Sequence, residues 1–131
     1  MIYSYEFFIP FHLSDPAGVL FFGNTFSLAH QAYERFISEH LKLSWDTWFK
    51  NSDWIVPIKH AESDYLRPLM AGKSCIIKLQ VSKIGTTSFT LTHQFYQDEH
   101  ECCVTKTTHV FCNKSTKRPQ EIPEIVRVKL G

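Results

Sequence analysis

The chain has 131 residues, a length that fits one domain, and its 44% hydrophobic and 21% charged content excludes a disordered chain. Fourteen lysines and arginines against thirteen aspartates and glutamates leave a formal net charge of +1, so there is no broad basic footprint for nucleic acid. No basic n-region opens the chain and no apolar run approaches bilayer length, so the expectation is a cytoplasmic protein without membrane insertion.

Residues 2–12 alternate, with Tyr3, Tyr5, Phe7, Ile9 and Phe11 on one face, and read as a strand. A turn follows at Asp15-Pro16-Ala17-Gly18, then four apolar residues, Val19 to Phe22, then Gly23-Asn24-Thr25. From Asn24 the period changes to three and four, through Phe26, Ala29, His30, Tyr33, Ile37 and Leu41, with Leu28, Ala32 and Phe36 widening the face. This predicts a buried helix capped by Asn24 or Thr25 and ending near His40. Trp45 to Asn51 reads as a short second helix capped by Ser44 or Asp46. Strands are expected over Ile55–Arg67, Ser74–Lys83, Ser88–Gln97 and 101–112, with turns at Pro68 to Gly72 and Gly85 to Thr87. Pro123 suits the first position of a closing helix through about Lys129. One strand, one long helix and four further strands imply an α+β layer, a curved antiparallel sheet of about five strands wrapped round a central helix.

The Asp15 segment carries the chemistry. A carboxylate on a tight turn can attack a carbonyl or activate water. A helix start one short segment away offers free backbone N–H groups to a developing oxyanion. Together they can hydrolyse an activated acyl group. Read alone, an Asp-Pro-x-Gly turn is ordinary turn chemistry. Its place before a buried segment and a helix start reverses that preference only together with the family resemblance of the wider chain. The four cysteines, Cys75, Cys102, Cys103 and Cys112, show no Cys-x-x-Cys spacing, so neither a metal site nor a disulfide framework is expected.

Five stretches in order resemble the hotdog fold, and more narrowly the 4-hydroxybenzoyl-CoA thioesterase-like family of acyl-CoA hydrolases. Ser14 to Asn24 is similar to the family's Asp-x-x-Gly-(Val/Ile) turn running into the central helix, and Ala32-Tyr33-Glu34 resembles the helix segment beyond it. Asp64 to Gly72 resembles the second-strand ending, Ile84 to Phe89 the third-to-fourth strand turn, and Arg118 to Pro123 the closing segment. The resemblance implies one hotdog thioesterase domain over 1–131, with no cofactor and no metal. It implies Asp15 as nucleophile or general base, with both roles left open. The backbone of Phe22 and Gly23 would polarise the thioester carbonyl. Pro16, Gly18, Asn24, Phe26 and His30 would lie around the acyl group, and Lys83, Thr86, Thr87 and Ser88 near the CoA arm. The substrate would be an acyl-CoA, with an acyl carrier protein as the alternative thiol carrier, and aromatic groups such as hydroxybenzoyl or dihydroxynaphthoyl are among those such relatives take. The assembly would be a homodimer or homotetramer.

The chain departs from the family at Gly23, where many relatives carry His or Tyr, and at Gly85 to Thr87, where some carry basic residues. Glu34 is the alternative carboxylate, one turn beyond His30 on the helix. The competing functions are a non-catalytic acyl-CoA-binding module, against which Asp15 argues, and an acyl dehydratase, against which the missing His-x-x-x-Pro-Gly pattern argues.

Overall fold

A computed structural model describes residues 2–131. Strand β1 (Tyr3–Phe8) leads through a short 3-10 turn (Phe11–Leu13) and the Asp15 loop into helix α1 (Asn24–Arg35), which continues as a π-turn to His40. Helix α2 (Trp45–Phe49) and the short strand β2 (Trp54–Ile55) precede β3 (Ile58–Tyr65), β4 (Ser74–Ile84), β5 (Ser88–Gln97) and β6 (His100–Val110). Strand β7 (Cys112–Asn113) and helix α3 (Glu124–Leu130) close the chain. The main sheet is antiparallel in the order β1-β4-β5-β6-β3.

The expected sheet round one helix is present. Every second residue of β5 is buried, from Phe89 to Gln97, because one face packs on α1. Leu28, Ala29, Ala32, Tyr33, Phe36 and Ile37 form the buried helix stripe. Phe26 and His30, expected on that stripe, sit exposed on its flank. Trp48 fills the far end of the core, edge-on to Trp54 and Phe111, and its indole N–H donates to Tyr33 Oη at 2.5 Å.

Several boundaries differ from the sequence reading. β1 stops at Phe8, and Phe11 is 76% exposed because the chain has turned into the 3-10 segment. The expected strand over Ile55–Arg67 is two strands. Pro57 has no N–H to donate to a ladder, so β2 pairs with β7 and β3 pairs with β6. The fifth strand is likewise split, into β6 and β7. Neither Asn24 nor Thr25 caps α1; the cap position is Gly23, without a side-chain hydrogen bond. The Asn24 amide donates instead to Leu13 O at 2.9 Å, and Thr25 is fully buried. Ser44 does cap α2, accepting from Thr47 N. All four cysteines are free and buried. Among the described residues no helix is long and apolar enough to cross a membrane.

Candidate active site

Asp15 is held by its own turn. Its Oδ1 accepts from Ala17 N at 2.9 Å and from Val19 N at 3.2 Å, an Asx-type turn that leaves Oδ2 without a partner among the described residues. Gly18 sits at φ +79°, where a side chain would strain the backbone, and its carbonyl accepts Ala71 N at 2.9 Å. The loop after β3 is stitched alongside: Leu20 N donates to Leu69 O, and Val19 bridges Met70. Gln97, 5% exposed at the end of β5, grips that loop from behind. Its Oε1 accepts Met70 N at 2.8 Å and its Nε2 donates to Met70 O at 3.0 Å. The Asp15 turn therefore rests on the sheet through two backbone layers.

The opposite wall is the start of α1. Phe22 O accepts Thr25 N at 3.2 Å and the Tyr65 hydroxyl at 2.7 Å. The peptide is trans, so holding that carbonyl turns the Gly23 N–H the opposite way, out of the helix start. Among the described residues neither Phe22 N–H nor Gly23 N–H has an acceptor. A Cβ on Gly23 would come within 2.9 Å of the Phe21 ring, so a larger residue there would require that ring to move. Between the walls is a cavity of about 580 Å³, lined by Asp15, Val19 to Phe22, Thr25 and Tyr65 to Leu69. Thr25 Oγ1 is buried there without a hydrogen bond.

A second, separate cavity of about 90 Å³ lies further along α1, lined by Phe26, Ala29, His30 and Tyr33 on the helix and Ile58, Ala61, His93, Thr107 and His109 on the sheet. Burial pushes His93 and His109 down to about 3, with neighbouring histidines adding to the effect. Burial also raises the Cys75 thiol to about 12, which makes it inert.

The sequence-derived residues thus separate into groups. Asp15 and Phe22 line the first cavity, and Gly23 follows Phe22 in the chain without lining it. Pro16 and Gly18 shape the turn without lining either cavity, and the Asn24 side chain is spent on Leu13. Phe26 and His30 line the second cavity. Lys83, Thr86, Thr87 and Ser88 lie elsewhere: Ser88 and Gln97 are the two ends of β5, about 30 Å apart at the rise of an extended strand. Gln97 abuts the loop at the Asp15 turn, so the Lys83–Ser88 turn is at the other end of the sheet. There the Arg127 guanidinium donates to the Gly85 and Thr86 carbonyls. Glu34 lines neither cavity and is occupied by Trp45 Nε1 at 3.1 Å and His30 Nδ1 at 3.6 Å. Sequence reasoning missed Thr25, Tyr65, Arg67 and Gln97 as site residues. Arg67 alone had a usable signal, as the one cation in the Asp64–Gly72 stretch.

Residues 9–130 match the model of the thioesterase-like superfamily. The chain is 32% identical over 124 residues to a 1,4-dihydroxy-2-naphthoyl-CoA hydrolase of Nostoc punctiforme, covering 95% of this chain and 83% of that protein. A protein of the same name from Rippkaea orientalis is 32% identical over 114 residues, 85% of this chain and 82% of its own. Among solved structures, a 1,4-dihydroxy-2-naphthoyl-CoA thioesterase from Synechocystis superposes with a TM-score of 0.90 over 99% of this chain and 96% of that one, at 22% identity.

Proposed function

The chain belongs to the thioesterase-like superfamily and is a thioester hydrolase of the hotdog fold, and from that premise we propose that it cleaves an aromatic acyl-CoA with Asp15 as the catalytic carboxylate. The observation that carries the assignment is the cleft itself. One Asp15 oxygen is fixed by the turn and the other is unpartnered, in a cavity lined also by Phe22, where the backbone N–H groups of Phe22 and Gly23 have no acceptor among the described residues.

The chemistry follows from that layout. The thioester carbonyl lies against the start of α1, where Phe22 and Gly23 N–H and the helix dipole stabilise charge growing on its oxygen. Asp15 Oδ2 then either attacks the carbonyl carbon, expelling the CoA thiolate and leaving an anhydride for water to open, or takes a proton from the water that attacks. Both routes end in free acid and CoA. The Thr25 hydroxyl, buried beside them, can hold that water. Release of free thiol from a panel of aromatic and aliphatic acyl-CoAs tests the reading. Preference for hydroxybenzoyl or dihydroxynaphthoyl thioesters is expected, and turnover of aliphatic thioesters alone would overturn the aromatic assignment.

Tyr65 acts as a positioning residue, through the Phe22 carbonyl. Tyr65→Phe removes one hydrogen bond from that peptide and leaves the ring contact with Phe22. It should lower kcat about 5- to 10-fold with little change in KM, the scale of one lost hydrogen bond felt in the transition state. An equal rise in KM at constant kcat would mean that Tyr65 binds substrate instead.

The CoA phosphates need cations. Arg67 is the basic residue on the first cavity's wall, whereas Lys83 lies outside it, at the other end of the sheet. Arg67→Gln should raise KM several-fold at nearly constant kcat. Lys83→Ala should do the same only in an assembly that brings its turn to a neighbour's cleft, with no change in KM if it does not. Strand β3 is a sheet edge exposed along almost all its length, the kind of edge that proteins cover or pair. This edge supports a homodimer or homotetramer, and light scattering at micromolar concentration that gives only monomer would exclude it.

A further inference from the structure

The second cavity holds a polar group that hydrolysis does not use. His93 Nε2 lies 3.2 Å from Thr107 Oγ1, and Thr107 Oγ1 lies 2.8 Å from His109 Nε2. The two rings are 0% and 1% exposed, and both Nδ1 atoms lack a hydrogen-bond partner. His109 is clamped between the Tyr33 ring at 4.4 Å and the Phe89 ring at 5.0 Å, so it cannot swing out to water. Buried polar atoms are almost always satisfied, and an exception calls for an explanation.

Hydrogen counting says what would satisfy them. Thr107 has one O–H to donate. Given to one histidine's Nε2, it fixes that ring as the Nδ1–H tautomer. The other histidine then donates its Nε2–H to Thr107 and keeps a lone pair on Nδ1. A neutral pair bridged in this way has one unused donor and one unused acceptor. A hydroxyl group, which donates once and also accepts, is their complement; a carboxylate or an ammonium group matches only one of them. Burial keeps both rings neutral at physiological pH, as this count requires.

The position fits the far end of an acyl group. From the Phe22–Gly23 donors to Ala29 and His30 is about seven residues of helix, about 10 Å along its axis. The cavity, at about 90 Å³, is smaller than the roughly 150 Å³ known to admit a benzene ring. It takes the substituted edge of a ring whose body lies nearer the first cavity.

We propose that His93, Thr107 and His109 form a subsite for a hydroxyl group on the ring of the acyl moiety, at the end away from the thioester. This rests on the aromatic acyl-CoA reading and adds what selects among aromatic substrates. Such a subsite favours the hydroxylated acyl group by penalising the ring that lacks the hydroxyl, because the histidine nitrogens then stay unpaired.

The test compares matched thioesters with wild-type protein: 4-hydroxybenzoyl-CoA against benzoyl-CoA, and 6-hydroxy-2-naphthoyl-CoA against 2-naphthoyl-CoA, each pair differing only in a hydroxyl at the end away from the thioester. The expected result is a kcat/KM ratio of about tenfold or more for the ring carrying the distal hydroxyl. In Thr107→Val, which keeps the side-chain shape and removes the bridge, the ratio should fall toward one. Equilibrium binding of the same pairs to Asp15→Asn protein repeats the comparison without turnover, and wild-type ratios serve if Thr107→Val does not fold. Equal turnover of both members by wild-type protein overturns the subsite while leaving the aromatic thioesterase reading intact. A ratio unchanged in folded Thr107→Val also overturns it, since the hydroxyl is then read elsewhere. Cleavage of aliphatic thioesters only removes the aromatic reading and the subsite with it.

Discussion

Asp15→Asn protein should fold, bind acyl-CoA and turn it over about 10²-fold more slowly than wild type, or worse, the scale expected for a positioned acid–base group. The turn explains why folding survives. The Asn carbonyl oxygen can accept the same Ala17 and Val19 N–H groups that Asp15 Oδ1 accepts now. What changes is the second atom: an amide nitrogen replaces the unpartnered oxygen and can neither attack a carbonyl nor take a proton. Asp15→Glu should also be poor. An added methylene moves the carboxylate by about 1 Å, enough to cost a large part of the advantage of orientation. Turnover of a good aromatic thioester by folded Asp15→Asn protein decides the matter. Near wild-type kcat would sink the assignment and make Glu34 the next residue to test, although Glu34 is already paired with Trp45 and His30 away from both cavities.

The second large effect is on stability in mild acid. His93 and His109 titrate in the folded protein at about 3, because burial penalises the charged ring. Their unfolded value is about 6.5. Above that pH neither state carries the protons and the full stability is present. Below it the unfolded chain takes up protons that the folded chain refuses, so stability falls as pH drops toward 3. By pH 5 each histidine should forfeit about 2 kcal/mol, a large share of the 5–15 kcal/mol that holds a typical domain together. Thermal unfolding should show a Tm lower by about 10 °C or more at pH 5 than at pH 7. His93→Gln should flatten the slope between pH 7 and pH 5 by roughly half. An unchanged Tm across that range in wild-type protein would show that both rings take up protons as readily folded as unfolded.

Much of the cleft was legible before any coordinates. The Asp-Pro-Ala-Gly turn, the four apolar residues after it and the change of period at Asn24 are local signals. A turn and a helix start are set by residues within one or two turns of each other. The strands β4 and β5 were legible for the same reason, since strict alternation reports one buried face. Local pattern failed where a single residue broke a ladder, as Pro57 does between β2 and β3, and at the α1 cap, where Asn24 found a partner eleven residues back.

The remainder depended on strand order, which periodicity does not encode. β3 pairs with β6 across the sheet from β4, its neighbour in sequence, and that crossing brings Tyr65 to the Phe22 carbonyl and Arg67 to the cleft wall. The end of β5 places Gln97 behind the loop that supports Asp15, and the length of the same strand removes Lys83 from the cleft. The polar face of β6 toward the helix, with Thr107 between two histidines, comes from pairing register. In sequence, His93 and His109 are merely two histidines at alternating strand positions. The sequence alone thus picked out Asp15 as the candidate carboxylate and the helix start that follows it, because a turn and a helix start are local. Only the tertiary structure decided what walls that pair, what holds it in place and what lies at the far end of the cavity, because each of those contacts joins segments whose approach depends on how the sheet is ordered.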